Sequence, residues 1–175
     1  MKLVNILAER PQINLVGKKA YGDDRLLKDL TLKDVTDNIV VFREDSPNSI
    51  FPQGMTFVYF MDSEENAQKI SNGELPMLIL PTGQNFGAQP PFERALRKGK
   101  HQHIIGFIQG YTSEEEIYVM FMKVRPNYRR NSINSKMIQA LKKEYPRAVI
   151  KFENPTDMGN KFIDKNYPDS EKVKR

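Results

Sequence analysis

The chain contains no cysteine. That absence removes disulfide staples, thiolate nucleophiles and zinc–thiolate sites together, and it fits a reducing compartment. No apolar run approaches the roughly 18 residues needed to cross a bilayer. The opening MKLVNILAERPQ, interrupted by Asn5, lacks the apolar core of a secretion signal. The expectation is a soluble, cytoplasmic protein with no membrane partner. There is no P-loop, no G-x-S-x-G nucleophile elbow, no internal repeat and no low-complexity tract. The two histidines, His101 and His103, form H-x-H with no third ligand nearby, so no metal site is expected.

What is present suffices for a folded domain. With 175 residues, 39% of them hydrophobic and 10% aromatic, the chain is globular in composition. A chain of this length buries about two thirds of its unfolded surface. A charged fraction of 28% and a mean hydropathy of −0.59 give it a heavily solvated exterior. The net charge of +5 and pI near 9.3 favour an anionic partner, nucleic acid or a phosphorylated cofactor, or reflect simply a basic surface. The basic clusters KKAYGDDR and RKGKHQH lack interleaved aromatics, so they are weak as nucleic-acid motifs.

Periodicity places the elements. Leu26, Leu27, Leu30 and Val35 predict a helix within residues 23–35, capped by Asp23 or Asp24. IVVFRE and MTFVYFM read as strands, and DSEENAQKISNG as a helix with an Asp or Ser cap and Asn72-Gly73 as its stop. LPMLILP reads as a short strand, and residues 82–102 as one long irregular segment of the functional or mobile kind, with room for one or two helical turns in PPFERALRKGK. HIIGFIQGY and EIYVMFMKV, joined by a short polar connection, predict a hairpin. The nearly unbroken apolar run from Ile117 to Met122 predicts a central strand covered on both faces. A helical stripe follows, made of Ile133, Met137, Ile138, Leu141 and Tyr145 and stopped by Pro146. Then come the strand AVIKFEN, a last short helix from Pro155, and a polar tail. The fold class is α/β with a mixed sheet.

The stretch VRPNYRRNSINSKMI joins the buried strand to the striped helix. A strand, loop, helix and strand in this order form a right-handed βαβ unit, with the loop at the carboxyl end of the strand, where open α/β sheets bind ligands. Free amides and the helix dipole make such a start a phosphate seat. Arg125, Arg129 and Arg130 stand around it, and Asn131, Ser132, Asn134 and Ser135 are small enough to let an anion approach.

These residues resemble the GNAT N-acetyltransferase superfamily, whose pyrophosphate motif is Arg or Gln, two residues, Gly, one residue, then Gly or Ala. Arg129 takes the first place, Ser132 that of the first Gly and Asn134 that of the second. The resemblance covers about residues 103–167. It implies a single domain over 1–175, with a divergent acceptor-side half at 1–102, an acetyl-CoA half at 103–167 and a polar tail at 168–175. It also implies a three-layer fold in which a splayed mixed sheet is flanked by helices and acetyl-CoA, the co-substrate, lies in the splay. Main-chain groups at Met122 and Val124 would meet the pantetheine arm. The loop from Arg129 and Arg130 through Asn131, Ser132, Ile133, Asn134 and Ser135 would meet the pyrophosphate. Asn154 would bond the pantetheine or else cap the last helix. Both motif glycines are replaced. A positive φ would cost on the order of 1 kcal/mol at Ser132 and less at Asn134, whereas a regular helix start would avoid the cost.

Acetyl transfer to an amine needs a base, an oxyanion stabiliser and an acid for the leaving thiolate. In the family the acid is often a Tyr in Y-x-K-x-G-F. The matching stretch here is FIDKNY, with Phe162 or Ile163 in that place and Tyr167 nearby. Glu116 and Tyr118, two apart on one strand face, are each a candidate for the base, with water as a relay, unless Glu114, Glu115 and Glu116 form only a solvated acidic turn. Tyr21, Phe86, Phe92 and Arg94 are candidates for the acceptor side. The reading is direct acetyl transfer to an amine, small molecule or protein, by a monomer or homodimer. The alternative is a GNAT-like protein without catalysis that binds nucleic acid or a protein partner.

Overall fold

A computed structural model describes residues 12–13, 30–44, 54–80, 99, 101–112, 115–153 and 157–173. Among these described residues, eight strands form one sheet whose spatial order follows the chain. They are β1 (Gln12–Ile13), β2 (Leu30–Thr36), β3 (Ile39–Glu44), β4 (Met55–Met61), β5 (Ile104–Thr112), β6 (Glu116–Val124), β7 (Val149–Glu153) and β8 (Glu171–Val173). Pairing is antiparallel from β1 to β6 and parallel across β6, β7 and β8, so the sheet is mixed. Helix α1 (Glu64–Ser71) follows β4, α2 (Ile133–Glu144) crosses from β6 to β7, and α3 (Asp157–Asn166) crosses from β7 to β8.

All seven side chains of β4 are buried, which requires cover on both faces of the sheet. On one face Phe57, Tyr59 and Met61 pack with Ala67 and Ile70 of α1 and with Met77, Leu78, Ile79 and Leu80. On the other, Val58 and Phe60 pack with Ile133, Met137, Ile138 and Leu141, the stripe expected of α2. Each fully buried aliphatic of that stripe contributes about 1.5–3 kcal/mol of transfer free energy, so α2 is held by its packed face. Helix α1 begins as its sequence requires. The Ser63 hydroxyl accepts the Asn66 N–H at 3.2 Å, Glu64 and Glu65 occupy the first turn, and Gly73 takes φ 74° just past the end.

Four expectations need correction. Residues Leu30–Val35 belong to β2, not to a helix; residues 23–29 lie outside the described set. A register shift between Leu32 and Asp34 brings Leu32 and Val35 onto one core face, and that three-residue spacing imitates a helical period. Pro76–Leu80 of LPMLILP are not a ladder strand. Their buried backbone is served by side chains: the Tyr59 hydroxyl donates to Leu78 O at 2.7 Å, and the Gln109 amide bonds both Leu80 N and Leu80 O at 2.8 Å. Strand β6 is interior to the sheet but only its Ile117, Val119 and Val124 are buried, so one face is half open. Residues 168–175, read as a polar tail, include β8, which escapes the alternation rule because Glu171, Lys172 and Val173 sit at a sheet edge.

Candidate functional site

Strands β6 and β7 run in parallel register over four pairs only, from Glu116↔Val149 to Val119↔Phe152. At the same point β6 bulges against β5: Gly110 faces Val119 and Gln109 faces Phe121, which leaves Met120 as the extra residue. A bulge bends its strand and raises local twist, so β6 turns away from β7 as it leaves Val119. Gly110 permits it. A Cβ there would lie 2.3 Å from the Tyr118 carbonyl oxygen, closer than any side chain tolerates. An isolated glycine within a strand pattern is the sequence sign of such a bulge, and it was legible at Gly110. Met122 and Val124 fall in the stretch beyond the bulge.

The exit of β6 is fixed by Arg125. Its Nε donates to Ile104 O at 2.7 Å, and its Nη2 to His101 O at 2.9 Å and to Gln102 O at 3.0 Å. Arg125 therefore ties β6 to the start of β5 and does not stand around the helix start. A 3-10 turn over Pro126–Tyr128 follows. Arg129 Nε then donates to Val124 O at 3.3 Å. Arg130 takes φ 73° and Ser132 takes φ 55°, both left-handed, immediately before α2. Of the two geometries open to this loop, the protein adopts the glycine-like one at Ser132, although that residue carries a Cβ. Its hydroxyl makes no capping bond.

Lys136 N donates to Ser132 O at 3.0 Å, so the amides of Ile133, Asn134 and Ser135 precede the first helical bond. The Ile133 side chain is buried and anchors the helix start in the core, while Arg129, Arg130, Asn131 and Ser132 are exposed. Asn134 Oδ1 is buried without a hydrogen-bond partner. These residues are brought together at one place. Asn154 lies outside the described residues, as do Tyr21, Phe86, Phe92, Arg94 and Glu114.

Glu116 and Tyr118 do share a face. The Tyr118 hydroxyl donates to Glu116 Oε2 at 2.8 Å, and Lys151 Nζ lies 2.7 Å from Glu116 Oε1 and 2.9 Å from Glu171 Oε2. The ammonium also stands 5.5 Å from the Tyr118 ring centre, and that ring stacks on Tyr111 at 4.6 Å. Hydrogen bonds from Lys151 and then Tyr118 hold Glu116 below the usual carboxylate range, and the bond to Glu116 pushes the Tyr118 phenol up. Such a carboxylate holds a cation better than it takes a proton.

Of Phe162 and Ile163, the two candidates for the place of the family's phenol, Ile163 is buried in the core and Phe162 packs beside it. Tyr167 instead closes the end of α3, its N–H donating to Ile163 O at 2.7 Å. Its ring packs between Phe152 and Phe162, and its hydroxyl meets Ser135 in the first turn of α2; burial raises its pKa, which the Ser135 bond partly offsets. The two histidines part company. His101 Nδ1 meets Pro76 O at 3.2 Å, whereas His103 Nδ1 meets Asp62 Oδ2 at 2.9 Å. Among the described residues no group of three or more His, Cys, Asp or Glu could hold a metal ion.

A comparison with known families matches the Acetyltransferase (GNAT) family over residues 59–160, more than half of the chain. The chain belongs to the GNAT acetyltransferase family. Searches of curated proteins and of solved structures return no match. The GNAT match runs from within β4 into α3, so it contains the bulge, the left-handed loop and the whole β6–α2–β7 unit. Membership carries an acetyltransferase-type function in general terms.

Proposed function

We propose that the protein is an acetyl-CoA-dependent N-acetyltransferase that passes the acetyl group directly to an amine. The departure of β6 from β7 at Met120, opening toward the left-handed turn at Arg130 and Ser132, carries this reading. The residues fit the co-substrate. Ser132 holds the conformation of a motif glycine, and the exposed Arg129, Arg130 and Asn131 and the amides of Ser132, Ile133, Asn134 and Ser135 face a diphosphate's charge. Met122 and Val124 line the opened edge, where the pantetheine arm would lie, and Asn154 would meet the same arm.

In the reaction the amine nitrogen attacks the thioester carbonyl carbon, the C–S bond breaks, the nitrogen loses a proton and the sulfur gains one. Tyr118 and Glu116 stand two and four residues before the bulge, on the face opposite α2. Glu116, held ionised, serves to draw a cationic amine to the thioester; the ammonium gives one proton to bulk water before it attacks, and the proton that the nitrogen loses on acylation passes through water to the departing sulfur. With no cysteine in the chain, no acetyl-enzyme thioester forms. A second reading, a GNAT fold that binds without catalysing, draws on Phe162 and Ile163, neither of which has a proton to give where a phenol would stand. The lack of cysteine gives a clean test, because any free thiol must come from coenzyme A. Thiol release from acetyl-CoA that depends on an added amine, matched by amide formation, is expected. Tight coenzyme A binding with no thiol release across alkyl, aryl and peptide amines would leave the second reading.

A further inference from the structure

From Ile117 to Lys143 the chain carries seven lysines and arginines and no aspartate or glutamate. This stretch alone exceeds the +5 of the whole chain, so the remaining residues are net negative. The fold concentrates the charge along α2. The apolar stripe of that helix is buried, which turns the opposite face to solvent. Lys136 and Lys143, seven residues apart, lie almost on one line of the helix. Lys136 Nζ stands 5.8 Å from the Phe60 ring on the β4 side, and Lys142 Nζ stands 5.1 Å from the Tyr167 ring on the α3 side. Lys136 and Lys143 on one side and Lys142 on the other therefore flank the exposed Gln139. Exposed Arg129 and Arg130 continue them at the head of the helix, and exposed Arg147 at its foot. The nearby carboxylates are Asp34, bound to Lys143 at 3.0 Å, and the half-buried Glu144.

Tyr128, 41% exposed, closes the 3-10 turn that precedes the helix by four residues. It and Val149 are the exposed large hydrophobics among the described residues. Insertion into a membrane needs an apolar face, and that of α2 is spent on the core. An acidic peptide satisfies the lysines but has no use for a lone aromatic platform. Nucleic-acid phosphates spaced along a strand satisfy the charges, and an unpaired base stacks on Tyr128. Between these lysines, Gln139 offers both a donor and an acceptor to a ribose hydroxyl. We infer that the outward face of α2 is a docking surface for single-stranded RNA. The inference does not require acetyl transfer: Arg129 and Arg130 border the proposed diphosphate site, but Lys136, Lys142, Lys143 and Arg147 have no part in it.

Fluorescence anisotropy of the full chain with a labelled, unstructured RNA oligomer tests it. With about four phosphates engaged, the log–log salt slope is about −3, a fall of roughly 50-fold between about 50 and 200 mM salt. The double variant Lys136→Gln/Lys142→Gln removes one charge from each side of Gln139 without introducing a buried group. It should bind at least tenfold more weakly at low salt, with a slope shallower by about 1.4, and still unfold at the wild-type temperature. Tyr128→Ala should weaken single-stranded RNA by about fivefold to tenfold, within the range for lost stacking. Unchanged affinity in the double variant overturns the proposal, and so does no binding at about 50 mM salt. Equal or tighter binding of duplex RNA, of single-stranded DNA or of phosphatidylserine vesicles overturns it as well.

Discussion

Ser132→Gly is the sharpest probe of the loop on which the cleft depends. Ser132 holds φ at 55°, which costs a residue with a Cβ roughly 1–2 kcal/mol and glycine nothing. Glycine gives part of this back, because its freer unfolded chain costs about 0.4–1 kcal/mol. No capping bond is lost, since the Ser132 hydroxyl makes none. The net expectation is a gain of about 0.5–1 kcal/mol, or a rise in Tm of about 1–4 °C for a chain of this size. Thermal unfolding followed by circular dichroism measures it, with the urea midpoint as a second reading at unchanged m. Ser132→Ala keeps the Cβ and should show no gain. If Ser132→Gly lowers Tm instead, or if the Gly and Ala variants behave alike, the residue is not left-handed and the glycine-like loop is wrong.

Gln109→Leu removes both partners of the Leu80 backbone within a fully buried site; about 3 kcal/mol or more should be lost, with Tm falling near 10 °C. In calorimetry, Gly110→Ala should cost more than Gly106→Ala by about 1–3 kcal/mol. The added methyl meets the Tyr118 backbone in the first case and the movable Ile133 and Met137 side chains in the second. For pH, Glu116 has a folded pKa below its unfolded one, so its contribution is present above the ordinary glutamate range and lost as pH falls through and below it. Glu116→Gln should therefore flatten the acid limb of a stability-against-pH curve and leave the alkaline limb as it was; an unchanged acid limb would contradict the ion pair with Lys151.

The second half of the chain was readable because its elements obey one period each. The stripe Ile133, Met137, Ile138 and Leu141 marked α2, and the two apolar runs marked the hairpin of β5 and β6. Legibility failed where a local device replaced the period. The bulge in β2 disguised a strand as a helix, and Gln109 and Tyr59 did for Pro76–Leu80 what a neighbouring strand would have done. The apolar run of β6 hid an alternation, since Tyr118, Met120 and Met122 are large but only half covered. At the site, sequence placed Arg129, Ser132 and Asn134 on the motif. It could not decide the sign of φ at Ser132, because serine enters the left-handed region only where the surrounding structure over-determines it. Nor could it foresee that Arg125 would turn toward backbone carbonyls of His101, Gln102 and Ile104.

The central claim is that the amides opening α2 receive a diphosphate. Titrating isotope-labelled protein with coenzyme A, and in parallel with acetylpantetheine, tests it residue by residue, because the second ligand keeps the thioester arm and lacks the diphosphate. The account predicts saturable shifts in the amide resonances of Arg130 to Ser135 with coenzyme A, and little change there with acetylpantetheine. Amides that stay unmoved at saturating coenzyme A, or that respond equally to both ligands, would contradict it.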